Sequence, residues 1–265
     1  LSSATTTQAT EQHIAACAKI LDNAALEART VERLTDTAPL TLEDAYTVQR
    51  AGIARRLARG EAPAGVKMGF TSRAKMVQMG VDDVIWGLLT DAMRVEDGGE
   101  LDLDELIHPR IEPEIAFLIG RPLSGRVTPT EAARCLAGVA VAHEVIDSRY
   151  AGFRFSLPDV VADNASAARY ACGPWQHPDS RDLGNVGLTV EIDGRVAATG
   201  SSAAILGHPL RSLAAAARLA GEAGITLEPG QIVLAGAATA AMPLPRGAHV
   251  KVLGAGLGQV EVSTR

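Results

Sequence analysis

The segment HPRIEPEIAFLIG, residues 108–120, carries two carboxylates two positions apart, Glu112 and Glu114, at the start of a strongly apolar run. In a strand, residues two apart share a face. Carboxylates that close repel each other, so on a partly buried face they share a proton or hold a cation between them. A third acid, Glu144, follows the apolar run LAGVAVA in the string HEVIDSRY. Three carboxylates from two strand-like segments make an all-oxygen donor set, which suits Mg²⁺ or Mn²⁺ with positions left for water and substrate. A blander assignment fits the same spacing: Pro113 suits an edge strand, on which Glu112 and Glu114 would simply be solvated.

Lys67 lies in GVKMGFTS, inside an apolar strand-like stretch. A lysine there is costly to bury unless it is paired or works chemically. Burial or a nearby divalent cation would lower its pKa and suit it to proton transfer; alternatively its head snorkels to water. Asp163, Asn164 and Ser166 form a polar cluster in VVADNASAARY, as ligand contacts or as an Asx turn. Arg149 and Arg154 are candidate carboxylate partners or surface ion pairs. His208 in LGHPL reads as a turn residue, and His108 and His143 read as structural neighbours of the acid motifs.

The elements that must position these groups change character along the chain. Apolar spacing predicts helices over residues 8–25 and 41–59, the second capped by Thr41 with Asp44 in its first turn. Gly60, Pro63 and Gly65 then break the pattern, which divides the chain into a helical region, 1–62, and a core, 63–265. The core alternates short apolar segments with Gly and Pro turns. Strands are expected at 66–70, 112–119, 186–192, 231–234, 250–253 and 259–262, with a hairpin turning at Asp193-Gly194. Helices are expected near 130–141 and 211–223. Many strands without a βαβ rhythm indicate an α+β fold with a mixed β core.

Composition narrows the function classes. A net charge of −6 opposes nonspecific binding to nucleic acid or to anionic membranes. Apolar runs stay far below the roughly 20 residues of a membrane span. Cys17, Cys135 and Cys172 lack metal-site or disulfide spacing and read as small buried hydrophobes in a reducing cytoplasm. The polar N-terminus predicts no signal peptide. No GxGxxG after a strand, Walker loop, GxSxG or HExxH is present.

Taken together, KMGFTSRAKMVQMGV, HPRIEPEIAF, EVIDSRY, VVADNAS, LGHPL and GLGQVEV resemble the 2-hydroxypentadienoate hydratase and 4-oxalocrotonate decarboxylase family, of the fumarylacetoacetase-like fold. The resemblance runs from about residue 40 to the end. It implies a fumarylacetoacetase-like mixed β core with an N-terminal helical region. It also implies a divalent metal on Glu112, Glu114 and Glu144, with Lys67 as the catalytic group and Ser166 lining the site.

Within that family, hydratases often carry an acid where this chain reads GVDDVIWGLL. Ile85 and Trp86, before Gly87, look like the aliphatic-aromatic pair of the decarboxylases, and Asp82 and Asp83 fall out of register. The resemblance therefore implies metal-dependent decarboxylation of 2-oxohex-3-enedioate (4-oxalocrotonate) to 2-hydroxypenta-2,4-dienoate and CO₂, in meta-cleavage degradation of aromatic compounds. Arg149 or Lys75 would orient the distal carboxylate. The alternatives are the hydratase that consumes that product, an acylpyruvate hydrolase, and a noncatalytic partner subunit. A homo-oligomer and a complex with the pathway hydratase are expected of such a decarboxylase. One departure is Ala235-Gly236, where the family usually has Thr-Gly.

Overall fold

The computed structural model describes residues 9–265. The polar stretch at residues 1–8, read above as lacking a leader, lies outside the described residues. Three helices open the chain: α1 (Glu11–Leu26), α2 (Leu34–Thr37) and α3 (Leu42–Ala58). Thr10 caps α1, and Thr41 with Asp44 forms the capping box of α3. Both long helices fall where the apolar spacing placed them.

The remaining elements alternate. They are β1 (Pro63–Gly69), α4 (Arg73–Met79), β2 (Ile85–Thr90), β3 (Gly99–Leu101), β4 (Arg110–Ile119), α5 (Pro129–Ala133) and β5 (Leu136–Ile146). Then come α6 (Leu157–Ala162), β6 (Ala167–Cys172), β7 (Gly187–Ile192), β8 (Arg195–Ser201), α7 (Pro209–Glu222), β9 (Ile232–Ala237), β10 (Met242–Pro243), β11 (His249–Gly254) and β12 (Gly258–Thr264). They build two sheets. The larger runs β2-β1-β9-β4-β5-β6, with β10 on β4, and the smaller runs β3-β12-β11-β7-β8. Among the strands of the described residues only β1–β9 and β12–β3 pair in parallel, consistent with an α+β fold.

The period of two decides what each face does. Ile111, Ile115, Phe117 and Ile119 of β4 and Val139, Val141 and Val145 of β5 join the main apolar core, as do Val250, Val252, Val260 and Val262 of the smaller sheet. The even positions of β4 and β5 therefore point to the opposite face. There Ala116 and Ala142 pack with Ile53 of α3, Leu89 and Leu234, while the rest of the helical layer and the α6 segment form a separate cluster with Ile85 of β2, through Ile14, Leu21, Val48, Tyr150, Val160 and Val161. Burying one such side chain contributes about 1.5–3 kcal/mol, an upper bound because the unfolded chain is itself partly compact.

Two expectations change. Residues 130–141 are not one helix: α5 ends at Ala133 and LAGVAVA belongs to β5. Buried on both faces, that strand shows a continuous apolar run rather than alternation. β4 is central, flanked by β5 and β9, so the edge-strand assignment fails. Pro113 is tolerated because its backbone edge faces the gap between β10, which pairs with Arg110 and Ile111, and β9, whose ladder begins at Glu114, so no strand partner there needs its missing N–H. The Asp193-Gly194 hairpin forms as expected between β7 and β8. Among the described residues no helix is long and apolar enough to cross a membrane.

Candidate metal centre

The antiparallel register of β4 and β5 sets Glu112 directly opposite Glu144, and Glu114 opposite Ala142. One carboxylate oxygen from each of the three acids lies within 4.8 Å of the others. Glu114 and Glu144 are fully buried and Glu112 is half-buried. Lys67 projects from β1, two strands from β4, and its Nζ lies 2.9 Å from Glu144 Oε2 and donates to the Ala165 carbonyl at 3.0 Å. Gly236 donates its backbone N–H to Glu114 Oε2 at 2.7 Å. The Ala235 carbonyl accepts from Ser212 Oγ at 2.6 Å, so local hydrogen bonding survives the Ala-Gly departure.

The electrostatics follow from that crowding. Burial and then the Glu144 charge push Glu112 up to about 7, against pulls from Lys67, Lys75 and Arg110. Burial and the two neighbouring carboxylates raise Glu114 well above the usual range. Burial also raises Glu144, although Lys67 pulls the other way. For Lys67 the result differs from expectation. Burial acts to lower it, but Glu144, Glu112 and Glu114 together outweigh burial and hold it above its ordinary value.

These residues fit a divalent metal. Glu114 Oε1 and Glu144 Oε1 are buried without a hydrogen-bond partner, an arrangement that costs free energy unless something bonds them. The donors are hard oxygens, which suit Mg²⁺.

A cavity of about 710 Å³ opens beside the acids, within the range of small-molecule sites. Lys67, Glu112, Ser166 and Lys75 line it. Ser166 Oγ is buried there and has no partner. Arg149 does not reach it. Its guanidinium is committed to Asp163 and to the carbonyls of Asp147 and Ala167, so, contrary to expectation, Arg149 is not placed to orient a distal carboxylate there. Arg110, not singled out from the sequence, does line the cavity, with Cζ 4.3 Å from the Phe153 ring centroid and no ion pair among the described residues. The signal was present: Arg110 precedes Glu112 by two and so shares its face.

Among the described residues Glu112 is the one carboxylate on the cavity wall. Ile85 lines it, Trp86 is buried in the main core, and Asp83 is paired with Arg218 at the surface. His208 caps α7, its Nδ1 accepting from Leu210 N–H at 3.1 Å. His143 is fully buried between the sheets, where desolvation lowers it to about 4. The three cysteines are free, Cys17 buried and the other two half-buried.

Residues 76–264 match the family model described as fumarylacetoacetate hydrolase C-terminal. The chain belongs to the fumarylacetoacetate hydrolase family. Within that family it is 51% identical over 251 residues to a 4-oxalocrotonate decarboxylase of Pseudomonas sp, covering 95% of this chain and 98% of that one. It is 34% identical over 241 residues to a 2-hydroxyhexa-2,4-dienoate hydratase of Comamonas testosteroni, covering 89% and 91%. A solved structure of 4-oxalocrotonate decarboxylase from Pseudomonas putida G7, complexed with magnesium and adipate, superposes with a TM-score of 0.94 at 39% identity, covering 98% of this chain and 100% of that one.

The pKa shifts make metal binding and stability depend on pH together. In the metal-free protein Glu112 binds its proton up to about pH 7, whereas the unfolded chain releases it near 4.5. Stability from this group is therefore lost as pH rises from about 4.5 to 7. Glu114 and Glu144 act in the same sense. Lys67 stays charged in both states across this window and adds no slope. His143, lowered to about 4 from 6.5, acts oppositely, its stability being lost as pH falls toward 4. It contributes equally with and without metal, so the difference between the two isolates the acids. The gain in Tm on adding saturating Mg²⁺ over chelator should grow from pH 5 to pH 8, reaching roughly 5 °C or more. A gain that stays flat over that range would contradict the three-acid site.

Proposed function

We propose that the chain is a Mg²⁺-dependent decarboxylase that converts 2-oxohex-3-enedioate to 2-hydroxypenta-2,4-dienoate and CO₂, in the meta-cleavage degradation of aromatic compounds. The observation that carries this reading is the makeup of the cavity wall. One carboxylate, Glu112, faces three cations, Lys67, Lys75 and Arg110, and Ile85 stands in the stretch where a hydratase acid is expected. A dicarboxylate fits that balance of charge. Similarity to named decarboxylases, and to one complexed with magnesium and adipate, supports the same reading; the named hydratases are more distant.

Glu112, Glu114 and Glu144 would hold the metal. When bound, Mg²⁺ supplies a Lewis acid for the carboxylate and carbonyl oxygens of a 2-oxo acid. Lys67, kept charged by its acidic neighbours, offers positive charge and a proton where the 2-oxygen becomes negative. The Ser166 hydroxyl is free to donate to the same oxygen. Phe70, Ile85, Ile146 and Val160 give the cavity an apolar wall, which limits water around the bound substrate. Loss of CO₂ needs no general base, whereas hydration needs one to activate water.

Arg110 and Lys75 are left to bind the distal carboxylate. Because that group leaves as neutral CO₂, a cation beside it favours the ground state over the transition state. Arg110→Met should therefore raise KM about tenfold and leave kcat undiminished. A fall in kcat at unchanged KM would remove Arg110 from this role.

The test is a paired assay with Mg²⁺, one vessel receiving 2-oxohex-3-enedioate and the other 2-hydroxypenta-2,4-dienoate. Metal-dependent CO₂ release from the first, with the second unconsumed, is the expected result. Consumption of the second alone would make the chain a hydratase, and no turnover or metal binding would favour a noncatalytic subunit. The same reading extends to Mn²⁺ as an alternative metal, a cytoplasmic setting, a homo-oligomer, association with the hydratase that consumes the product, and a division into residues 1–62 and 63–265.

A further inference from the structure

Asn164, Ala165 and Ser166 take successive φ values of 52°, 51° and 59°. They make a left-handed turn that contains no glycine. An L-residue in that region crowds its Cβ against the following carbonyl, so such residues normally occur singly. The strain persists only where the surroundings over-determine it.

The surroundings here hold the turn at both ends. Arg149 is buried, at 6% exposure, and so is Asp163, at 2%. Arg149 Nε donates to the Asp163 carboxylate and Nη2 to the Asp163 carbonyl, while Nη1 donates to the carbonyls of Asp147 at 2.6 Å and Ala167 at 3.1 Å. The Arg149 backbone N–H donates to the same carboxylate at 3.0 Å. One guanidinium thus grips the residue before the turn and the residue after it. On the other side, Asn164 Oδ1 accepts from Leu88 N–H at 2.8 Å and Nδ2 donates to the Leu88 carbonyl at 2.9 Å. Neighbouring Gly87 is packed so closely that a Cβ there would lie 2.6 Å from the Asn164 carbonyl oxygen.

What the turn presents belongs to the site. The Ala165 carbonyl takes the hydrogen bond from Lys67 Nζ, and Ser166 Oγ lies unpartnered on the cavity wall. We propose that the Arg149–Asp163 ion pair is a positioning clamp that holds the left-handed turn 164–166 and so fixes Lys67 and Ser166 relative to the three carboxylates. Arg149 touches no cavity-facing group itself. A buried ion pair is a poor source of net stability, because desolvation offsets much of its attraction. Its planar fork, reaching four acceptors, supplies geometry that a lysine ammonium cannot copy.

The inference rests on the site assignment under Proposed function, so the experiment separates the two. Arg149→Lys should lower kcat about 100-fold, as expected of a small misplacement of reacting groups. Its Mg²⁺ affinity, measured by calorimetry, should stay within about threefold of wild type, since β4 and β5 carry the ligands independently. Ala165→Gly supplies the discriminating readout, because glycine removes the strain that the clamp opposes. With the clamp intact it adds only freedom and should lower kcat a little. In the Arg149→Lys background it should raise kcat about tenfold, a coupling of opposite sign.

A merely structural Arg149 predicts that Tm, Mg²⁺ affinity and kcat fall together and that Ala165→Gly acts alike in both backgrounds; either result overturns the clamp. Should Arg149→Lys not fold, Asp163→Asn keeps the shape, removes the charge and carries the same cycle. Full activity in both Lys67→Met and Ser166→Ala would instead overturn the site assignment, and with it what the clamp is for.

Discussion

Glu112→Gln should give a protein that turns over about a thousandfold more slowly, or worse, yet folds without metal at least as well as the wild type. The rate loss follows from the donor set. A bound divalent cation contributes several kcal/mol to the stabilisation of developing charge, and about 4 kcal/mol is three factors of ten. The folding half follows from the cluster's own repulsion. Glu112 is pushed up to about 7 by burial and by the Glu144 charge, so at neutral pH the metal-free protein already keeps much of it protonated. Glutamine is close to that neutral acid in shape, and at a half-buried position its amide is reachable by water. Removing one of three mutually repelling charges relieves Glu114 and Glu144. Chelator-treated Glu112→Gln should therefore melt no lower than chelator-treated wild type, and Mg²⁺ should no longer raise its Tm. An active variant, or one still stabilised by Mg²⁺, would sink the three-acid centre.

The part of this centre that was legible in the sequence is the part encoded by local period. HPRIEPEI places Glu112 and Glu114 on one face without knowledge of any partner strand, and the same rule reaches Arg110. What brings Glu144 opposite Glu112 is the antiparallel register of β4 and β5, a long-range property that no local string displays. The apolar run LAGVAVA illustrates the limit from the other side. A strand covered on both faces loses its alternation, and a short apolar run then fits helix and strand equally.

Other features were hidden for different reasons. Helix α4 buries no residue, so it has no apolar stripe to reveal it, and α6 is only six residues long. The turn at 164–166 has positive φ without glycine, so composition carries no mark of it; tertiary contacts impose it. In the sequence Arg149 and Arg110 are each a single arginine near an acid motif, although only Arg149 was singled out there. Their difference lies in Asp163, which comes within reach of Arg149 only after α6 has turned the chain back.

Lys67→Met separates the metal's contribution from the chain's own, because its effects on rate and on metal binding should run in opposite directions. Lys67 Nζ sits 2.9 Å from Glu144 and is held above its ordinary pKa by all three acids. It therefore competes with a divalent cation for the same negative charge. Replacing it with a neutral side chain of similar reach removes that competitor, so Mg²⁺ affinity should be unchanged or tighter. The metal-free variant is left with three carboxylates and no cation among them, so it should melt lower than wild type and gain more from Mg²⁺. Turnover should nonetheless fall by about 10²–10⁴-fold, the usual worth of a positioned proton donor. A purely structural lysine would give a different pattern: its loss would cost metal-free stability, but turnover would return once Mg²⁺ saturates the acids. Calorimetric titration beside saturating-metal kcat distinguishes the two, and recovery of wild-type kcat at high Mg²⁺ would demote Lys67 from catalytic group to counter-ion.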